Sequence, residues 1–303
     1  MIIYKYLNEE GALSTLKNNA VLLRTPLEFN DPFDSLFHVS EKEMDRAYDL
    51  FMNYQLFIKF YKELVIDGKK PTYLGKIIKE NIKKDALVVK NKLLYRKKEY
   101  ISRSYKMGLS ALKKNDTDIK KQFSSLMKST LDILRNTVLI SCFGSTYDSI
   151  LMWSHYANKH KGACIEFEID DKDFRKVVYA KELPNFRFTD ALEILFGHNF
   201  AGKEVDTSRP ECQFILDPLF IKSVDWSYEG EVRCVYSKSN PDPKIYKVED
   251  ANGVKMLLKM PKIKKIYLGC NASNEFVNQI NGIAGDIPVI KLMTCSDEYG
   301  LKE

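Results

Sequence analysis

Residues 138–170 read VLISCFGSTYDSILMWSHYANKHKGACIEFEID. The run Val138 to Ile140, continued by Ser141, Cys142 and Phe143, predicts a strand buried on both faces. Gly144 and Ser145 break it. Asp148 or Ser149 can cap a short helix carrying Leu151, Met152, Trp153, His155 and Tyr156. Lys161-Gly162 is expected to end that helix, because glycine enters the left-handed conformation at little cost. Ala163, Ile165, Phe167 and Ile169 then alternate with Cys164, Glu166 and Glu168, the pattern of a half-buried strand. Strand, short helix and strand put Trp153, His155 and Tyr156 at one corner. A corner that only turned the chain would not need three polar aromatic rings, so a pocket is expected there.

Outward from this stretch the same two periods organise the chain. Ile2 to Tyr6 alternates as an opening strand. Asn8 is a candidate N-cap for a helix with Glu9 and Glu10 in its first turn and Ala12, Leu13 and Leu16 on its apolar stripe. Ala20 to Arg24 predicts another strand. In Pro26-Leu27-Glu28-Phe29-Asn30-Asp31-Pro32-Phe33-Asp34, the Asn and Asp side chains can fold back on nearby amides, and Pro32 stops any helix. Phe29 and Phe33 are expected to anchor that turn. From Ser40 to about Asn136 the spacing becomes helical, with Met44, Tyr48, Phe51 and Met52 opening the pattern. Arg175 to Ala180 reads as a strand, Asp190 to Phe196 and Cys212 to Ser223 as helices. Ile263 to Leu268, a helix capped by Ser273, and Ile287 to Met293 predict a strand-helix-strand unit with a parallel pair. Residues 295–303 are expected to fray. The class is therefore α+β. Residues 1–40, 137–180 and 220–293 should form one mixed sheet core, with 41–136 as a helical insertion in a single domain, 1–303.

The 45% hydrophobic and 29% charged content fits a globular chain and argues against disorder. No apolar run approaches the ~18 residues of a membrane span, and the first residues lack a signal peptide's pattern, so a cytoplasmic protein is expected. The six cysteines have no C-x-x-C spacing; they are expected as buried thiols, and no metal site is expected. Between Asp67 and Lys121 there are 17 Lys/Arg against 6 Asp/Glu, a local excess of 11; the rest of the chain then carries five net negative charges. That basic segment could meet nucleic acid or an acidic protein, or be a solvated helix face.

The second informative stretch runs from Lys222 through Trp226 and Tyr228 to Tyr236. If 229–236 is extended, Glu229, Glu231 and Arg233 share one face, and Val232, Cys234 and Tyr236 the other. Three charges on one strand face form either a solvated, self-paired edge or a site.

With both stretches in view, the chain resembles the domain of unknown function 2971 family. The residues that carry this are Tyr4-Lys5-Tyr6, Phe29 to Asp34, Cys142-Phe143, Met152 to Ala157, Lys161-Gly162, Lys222, Trp226, Tyr228, Glu229, Glu231 and Arg233. More loosely, the order of elements resembles the ADP-ribosyltransferase-like fold, with Glu229-Gly-Glu231 matching its Glu-x-Glu motif. Lys5 stands where those enzymes have His or Arg, and no Ser-Thr-Ser follows in the middle strand. The likeness implies an NAD-consuming enzyme, transferring ADP-ribose to a macromolecule or hydrolysing NAD, in a toxin or anti-phage defence setting. Cleavage of the nicotinamide–ribose bond passes through an oxocarbenium-like state, which a carboxylate stabilises. Glu231 is expected to carry that role and Glu229 to orient the acceptor, with Tyr156 as the third catalytic residue. Tyr6, Trp153 or Tyr156 offers a stacking face for the cationic ring, and Tyr4 is a further cofactor-binding residue. Lys5, Arg24 and Arg233 offer cations for the diphosphate, and Asn30, Asp31 and His155 further contacts. The alternatives are a non-catalytic binding protein, or a hydrolase or nuclease-like effector using His155 with Glu229.

Overall fold

The computed structural model describes residues 1–51, 106, 132, 135–187, 216–238, 242–250 and 253–303. The chain divides into two compact units. One comprises Met1–Leu36, Asp132–Pro184 and Pro218–Glu303; the other comprises Phe37–Leu131 and Asn185–Asp217. The described part of the second unit holds helix α2 (Glu41–Phe51) and a bridge of His38 to Asn185, beside which the Phe37 and Phe186 rings pack at 4.5 Å. The basic segment and the helices expected after residue 51 and around 190–196 lie outside the described residues, as does the start of the helix expected over 212–223; the described part of that stretch is a 3-10 turn, Asp217–Phe220, followed by a strand, Ile221–Ser223, and not a helix.

The first unit opens with β1 (Ile2–Leu7), helix α1 (Glu9–Asn18) and β2 (Ala20–Leu23). Asn8 caps α1 by accepting from the Gly11 amide, and Asn19 ends it in the left-handed conformation. β3 (Val138–Phe143), helix α3 (Ile150–Tyr156) and β4 (Ala163–Glu168) form the predicted corner, with Ser149 as the cap. Then come β5 (Phe174–Lys176), β6 (Val178–Ala180), β7 (Ile221–Ser223) and β8 (Val232–Ser237). β9 (Ile245–Asp250), β10 (Gly253–Lys259) and β11 (Ile263–Leu268) precede helix α4 (Asn274–Ala284). β12 (Val289–Lys291), β13 (Met293–Thr294) and β14 (Leu301–Lys302) complete it.

The class is α+β, but the core is not one sheet. The strands form a four-stranded sheet β1-β4-β11-β12, the three-stranded sheets β2-β10-β9 and β3-β8-β5, and the pairs β6-β7 and β13-β14. β3 meets β1 and β2 only at isolated bridges, Tyr4 with Gly144 and Arg24 with Ile140. Alternation marks a strand's faces, not the edge it pairs with, which is why the sequence reading merged these sheets. The expected strand at 175–180 splits between two of them. The parallel pair β11–β12 forms as expected. The last residues are a hairpin rather than a frayed tail: β13 pairs β14, and Leu301 packs onto the cluster around Trp153.

The corner closes differently from the glycine-terminated helix that was expected. After α3 the left-handed positions are Asn158, Lys159 and His160, with φ of 46°, 55° and 65°. Asn271 donates its amide to the His160 carbonyl and its side chain to that of Lys159, which holds this costly run in place. Gly162 serves close approach instead: a Cβ there would run into the Leu7 carbonyl at the end of β1. Ile3, Ile165, Phe167, Ile266 and Leu268, all fully buried, fill the core between this sheet and helices α1 and α4. Among the described cysteines, Cys164 and Cys234 are buried as expected, whereas Cys142, Cys270 and Cys295 are half-buried.

Candidate functional site

Five separate stretches meet at a cleft of about 740 Å³ in the first unit. This lies within the ~300–1,000 Å³ typical of small-molecule sites. Tyr4, Lys5, Tyr6, Arg24, Asn30, His155, Tyr156, Glu229 and Glu231 all line it. Three expected residues, Trp153, Arg233 and Asp31, do not. Trp153 is fully buried, its ring edge-on to Tyr6 and its indole N–H donating to the Tyr147 carbonyl at 2.7 Å, so it is core and offers no face to a ligand. Arg233 is also fully buried and lies beneath the cleft wall. Asp31 belongs to the turn: its Oδ1 accepts from the Phe33 amide at 2.9 Å, and its side chain is off the cleft wall. Phe33, expected as an anchor, is 64% exposed. Phe29 instead lies beside the Arg233 guanidinium, at 5.8 Å.

Arg233 organises the floor. Its Nε donates to Glu231 Oε1 at 2.6 Å and its Nη2 to Glu231 Oε2 at 3.0 Å. On the other side Nη1 and Nη2 donate to the two Asp34 oxygens at 2.9 and 2.6 Å, and Nη1 also reaches the Leu219 carbonyl at 2.7 Å. All five donors of the guanidinium are used, so none remains for a diphosphate. Asp34 was read only as part of a turn. That turn delivers it, through the bond of its amide to the Asp31 carbonyl, and Ser35 donates to its Oδ1.

Lys222 is the member that the sequence reading placed in the family pattern but not in the site. It stands at the centre of β7, opposite Tyr179 of β6. Its Nζ lies 2.5 Å from Glu229 Oε2, 3.3 Å from Glu231 Oε2 and 3.8 Å from Asp34 Oδ2. Glu229 does not sit on the strand, as was expected. It ends a 3-10 turn, Val224–Glu229, and Gly230 in the left-handed conformation reverses the chain before β8. A side chain at Gly230 would run into the Ser145 hydroxyl, and its φ of 49° is one that glycine adopts at little cost, so glycine suits the turn that brings both glutamates to one lysine. The Tyr156 hydroxyl donates to the other Glu229 oxygen at 2.5 Å.

The cluster holds three carboxylates and two cations, all buried. One proton would neutralise it, and the two glutamates differ in their readiness to take it. Burial pushes the Glu229 carboxyl up, against the pull of Lys222. Burial also opposes ionisation of Glu231, but Arg233 and then Lys222 outweigh it and hold that carboxyl at about 2. Lys222 is held above its ordinary value, because Glu231 and Glu229 together more than offset its own burial. Burial, then the charge of Glu229, raises the Tyr156 hydroxyl. Two neighbouring carboxyls pushed in opposite directions are the arrangement that supports acid–base work.

A stability measurement reads the same split. The folded value of Glu231 lies below its ordinary value near 4.5, so its contribution is complete above that pH and is lost as pH falls through about 2. The raised value of Glu229 acts in the opposite sense: its ionisation costs stability above its unfolded value. Urea unfolding at stepped pH should therefore show stability falling between pH 4.5 and 2 by on the order of 3 kcal/mol from Glu231. A flat profile over that interval would contradict the guanidinium clamp.

At another part of the wall Lys5 donates to Ser141 Oγ at 3.0 Å and to the Cys142 carbonyl at 2.7 Å, over the Phe143 ring. Burial lowers its ammonium below the usual lysine range, and Arg24 adds to that. Among the described residues neither Lys5 nor Arg24 has a carboxylate within ion-pair distance.

These features define an α+β protein with a cleft built on a buried three-carboxylate, two-cation cluster. Residues 152–234 match the profile of a family described as Protein of unknown function (DUF2971). The matched stretch supplies Tyr156, Lys222, Glu229, Glu231 and Arg233, whereas Tyr4, Lys5, Arg24, Asn30 and Asp34 lie before it. No curated protein and no solved structure matches the chain. Among the described residues, no helix is long and apolar enough to cross a membrane.

Proposed function

We propose that the cleft cleaves the nicotinamide–ribose bond of NAD, with Glu229 as the working carboxylate. The observation that carries this is the Tyr156–Glu229–Lys222 array: a buried carboxyl on the cleft wall, held by one hydroxyl and one ammonium, with its pKa raised by burial. Glu231 is clamped by a bidentate guanidinium and serves as the fixed charge that keeps Lys222 protonated.

In this reading the C1′–N bond breaks and its electron pair leaves with nicotinamide. The ionised Glu229 carboxylate stabilises the oxocarbenium character that develops at C1′. Water or an acceptor group then attacks C1′, and its proton passes to Glu229, whose raised pKa suits it to receive one. Tyr4 and Tyr156 present aromatic faces to the cationic ring. Lys5 and Arg24, cations without a carboxylate partner, suit the diphosphate. The ADP-ribosyltransferase-like resemblance in the sequence implies cleavage of the same bond, but with the stabilising role on Glu231; the clamp on Glu231 is the reason for placing that role on Glu229 instead. The hydrolase alternative has less behind it, because both Glu229 oxygens are taken by Tyr156 and Lys222 and neither by His155.

Purified protein incubated with NAD, alone and with cell extract, should release nicotinamide, measured by liquid chromatography. No release under either condition would end the NAD reading.

A further inference from the structure

Ile3, Lys5 and Leu7 share one face of β1. Ile3 is fully buried and Leu7 packs against the same core cluster; Lys5 stands between them, paired with the fully buried Ile165 of β4. An alternating strand ordinarily puts an apolar residue at such a position. A lysine there carries its amine into the protein instead of out to water. The amine ends on the cleft wall, 3.0 Å from the hydroxyl of the buried Ser141 and 2.7 Å from the Cys142 carbonyl.

Those two contacts use both N–H groups of a neutral amine and leave its lone pair in the third tetrahedral direction. In the ammonium that direction holds a third N–H, which finds no hydrogen-bond acceptor among the described residues; the Phe143 ring lies 4.9 Å from the nitrogen. Desolvation without a paired carboxylate favours the amine. Burial outweighs the opposing pull of the Cys142 and Cys234 thiols and of Glu231, and Arg24 adds to it.

Arg24 supplies the second half of the site. Its backbone exchanges hydrogen bonds of 2.9 and 2.8 Å with Ile140, the residue before the Ser141 that holds Lys5. Its side chain lines the same cleft, is exposed, and has no carboxylate partner among the described residues. A desolvated amine beside a free guanidinium fits a ligand that carries both an electrophilic carbon and a phosphate. An acyl donor would leave Lys5 as an amide and spend it, whereas an aldehyde or ketone adds reversibly. The Ser141 hydroxyl, both donor and acceptor, can pass protons to and from the nitrogen.

We propose that Lys5 forms an imine with a phosphorylated aldehyde or ketone whose phosphate is held by Arg24. The nitrogen lone pair bonds to the carbonyl carbon, and the carbonyl π pair moves to the oxygen. That oxygen leaves as water with the two amine protons, and a C=N bond remains. The ammonium and the amine exchange a proton with water, so the charged form can face a diphosphate and the neutral form act as nucleophile. The inference does not depend on the NAD reading, and its test contains no NAD.

The probe is pyridoxal 5′-phosphate, added to the full chain at neutral pH and fixed by borohydride reduction. Peptide mapping, with fragmentation that separates Lys5 from the N-terminal amine, should find Lys5 labelled on the order of tenfold faster than the exposed lysines, the gain in amine when a lysine pKa falls by one. With pyridoxal, which lacks the phosphate, that preference for Lys5 should shrink by on the order of tenfold, the worth of one hydrogen bond to a charged group. Arg24→Gln should lose the preference shown by the phosphate form and keep the one shown by pyridoxal. Lys5→Met should lose the fast phase of labelling, with circular dichroism melts to show that it folds; if it does not, the Arg24→Gln comparison, made at an exposed side chain, decides. The proposal is overturned if Lys5 reacts no faster than the exposed lysines, if pyridoxal shows the same preference as its phosphate, or if Arg24→Gln behaves as wild type.

Discussion

Glu229→Gln is expected to lower the rate of nicotinamide release by on the order of 10²–10³, the usual cost of removing one preorganised electrostatic group. Its KM for NAD should change little, since a carboxylate used for transition-state charge contributes little to ground-state binding. Gln keeps an acceptor for Tyr156, and Lys222 keeps Glu231. The loss of one negative charge also takes the buried cluster from a net −1 to zero, so the melting temperature should hold or rise. That combination, a crippled rate on an intact fold, separates a catalytic group from a structural one. Wild-type turnover by Glu229→Gln would remove it from the mechanism. Glu231→Gln should behave differently: it unclamps Arg233 and loosens Lys222, so rate and stability should fall together.

Arg233→Ala should be the most destabilising single change in the site, by about 3–5 kcal/mol, the range for breaking a buried ion pair by removing one partner. The cost is the buried charge left on Asp34 and Glu231, both more than nine-tenths buried, rather than the pair's attraction in itself. Arg233→Lys should recover little of it. One ammonium has three donors and no planar fork, and it cannot serve two carboxylates bidentately. Urea unfolding monitored by circular dichroism measures both variants. A midpoint for Arg233→Ala close to wild type would show that the carboxylates are relieved some other way, by water or by protonation.

The corner at 138–170 was legible because its signals are local. An apolar run, a Ser cap and strict alternation each depend on neighbours a few residues apart, and β3, α3 and β4 follow them. Tyr6, Asn30, Trp153, Tyr156, Glu229, Glu231 and Arg233 were expected to converge because each costs more than its local structure requires; all but Trp153 and Arg233 line the cleft. The misreadings share a physical origin. Trp153 carries the same outward signs as Tyr156, yet one hydrogen bond to the Tyr147 carbonyl makes it core. Arg233 looks like a free cation until Asp34, whose side chain folds in from a turn 199 residues earlier, takes two of its five donors. Lys222 sits in a three-residue strand too short to show a period. The run 229–236 alternates well enough to read as one strand, and only the positive φ at Gly230 breaks it, which no pattern of hydrophobicity records.

The distances along the chain between partners around this cleft have a consequence in time. Lys5 and Ser141 are 136 residues apart, Tyr156 and Glu229 are 73, and Asp34 and Arg233 are 199. Each closure is entropically costly and none is repaid until the others form. At ribosomal speeds of 5–20 residues per second, Asp34 waits roughly 10–40 s for its arginine to be made. Until then a carboxylate destined for the interior must stay in water, and the sheets around it cannot close. The nascent chain therefore lacks a complete cleft floor until Arg233 has been made, more than two thirds of the way along the chain.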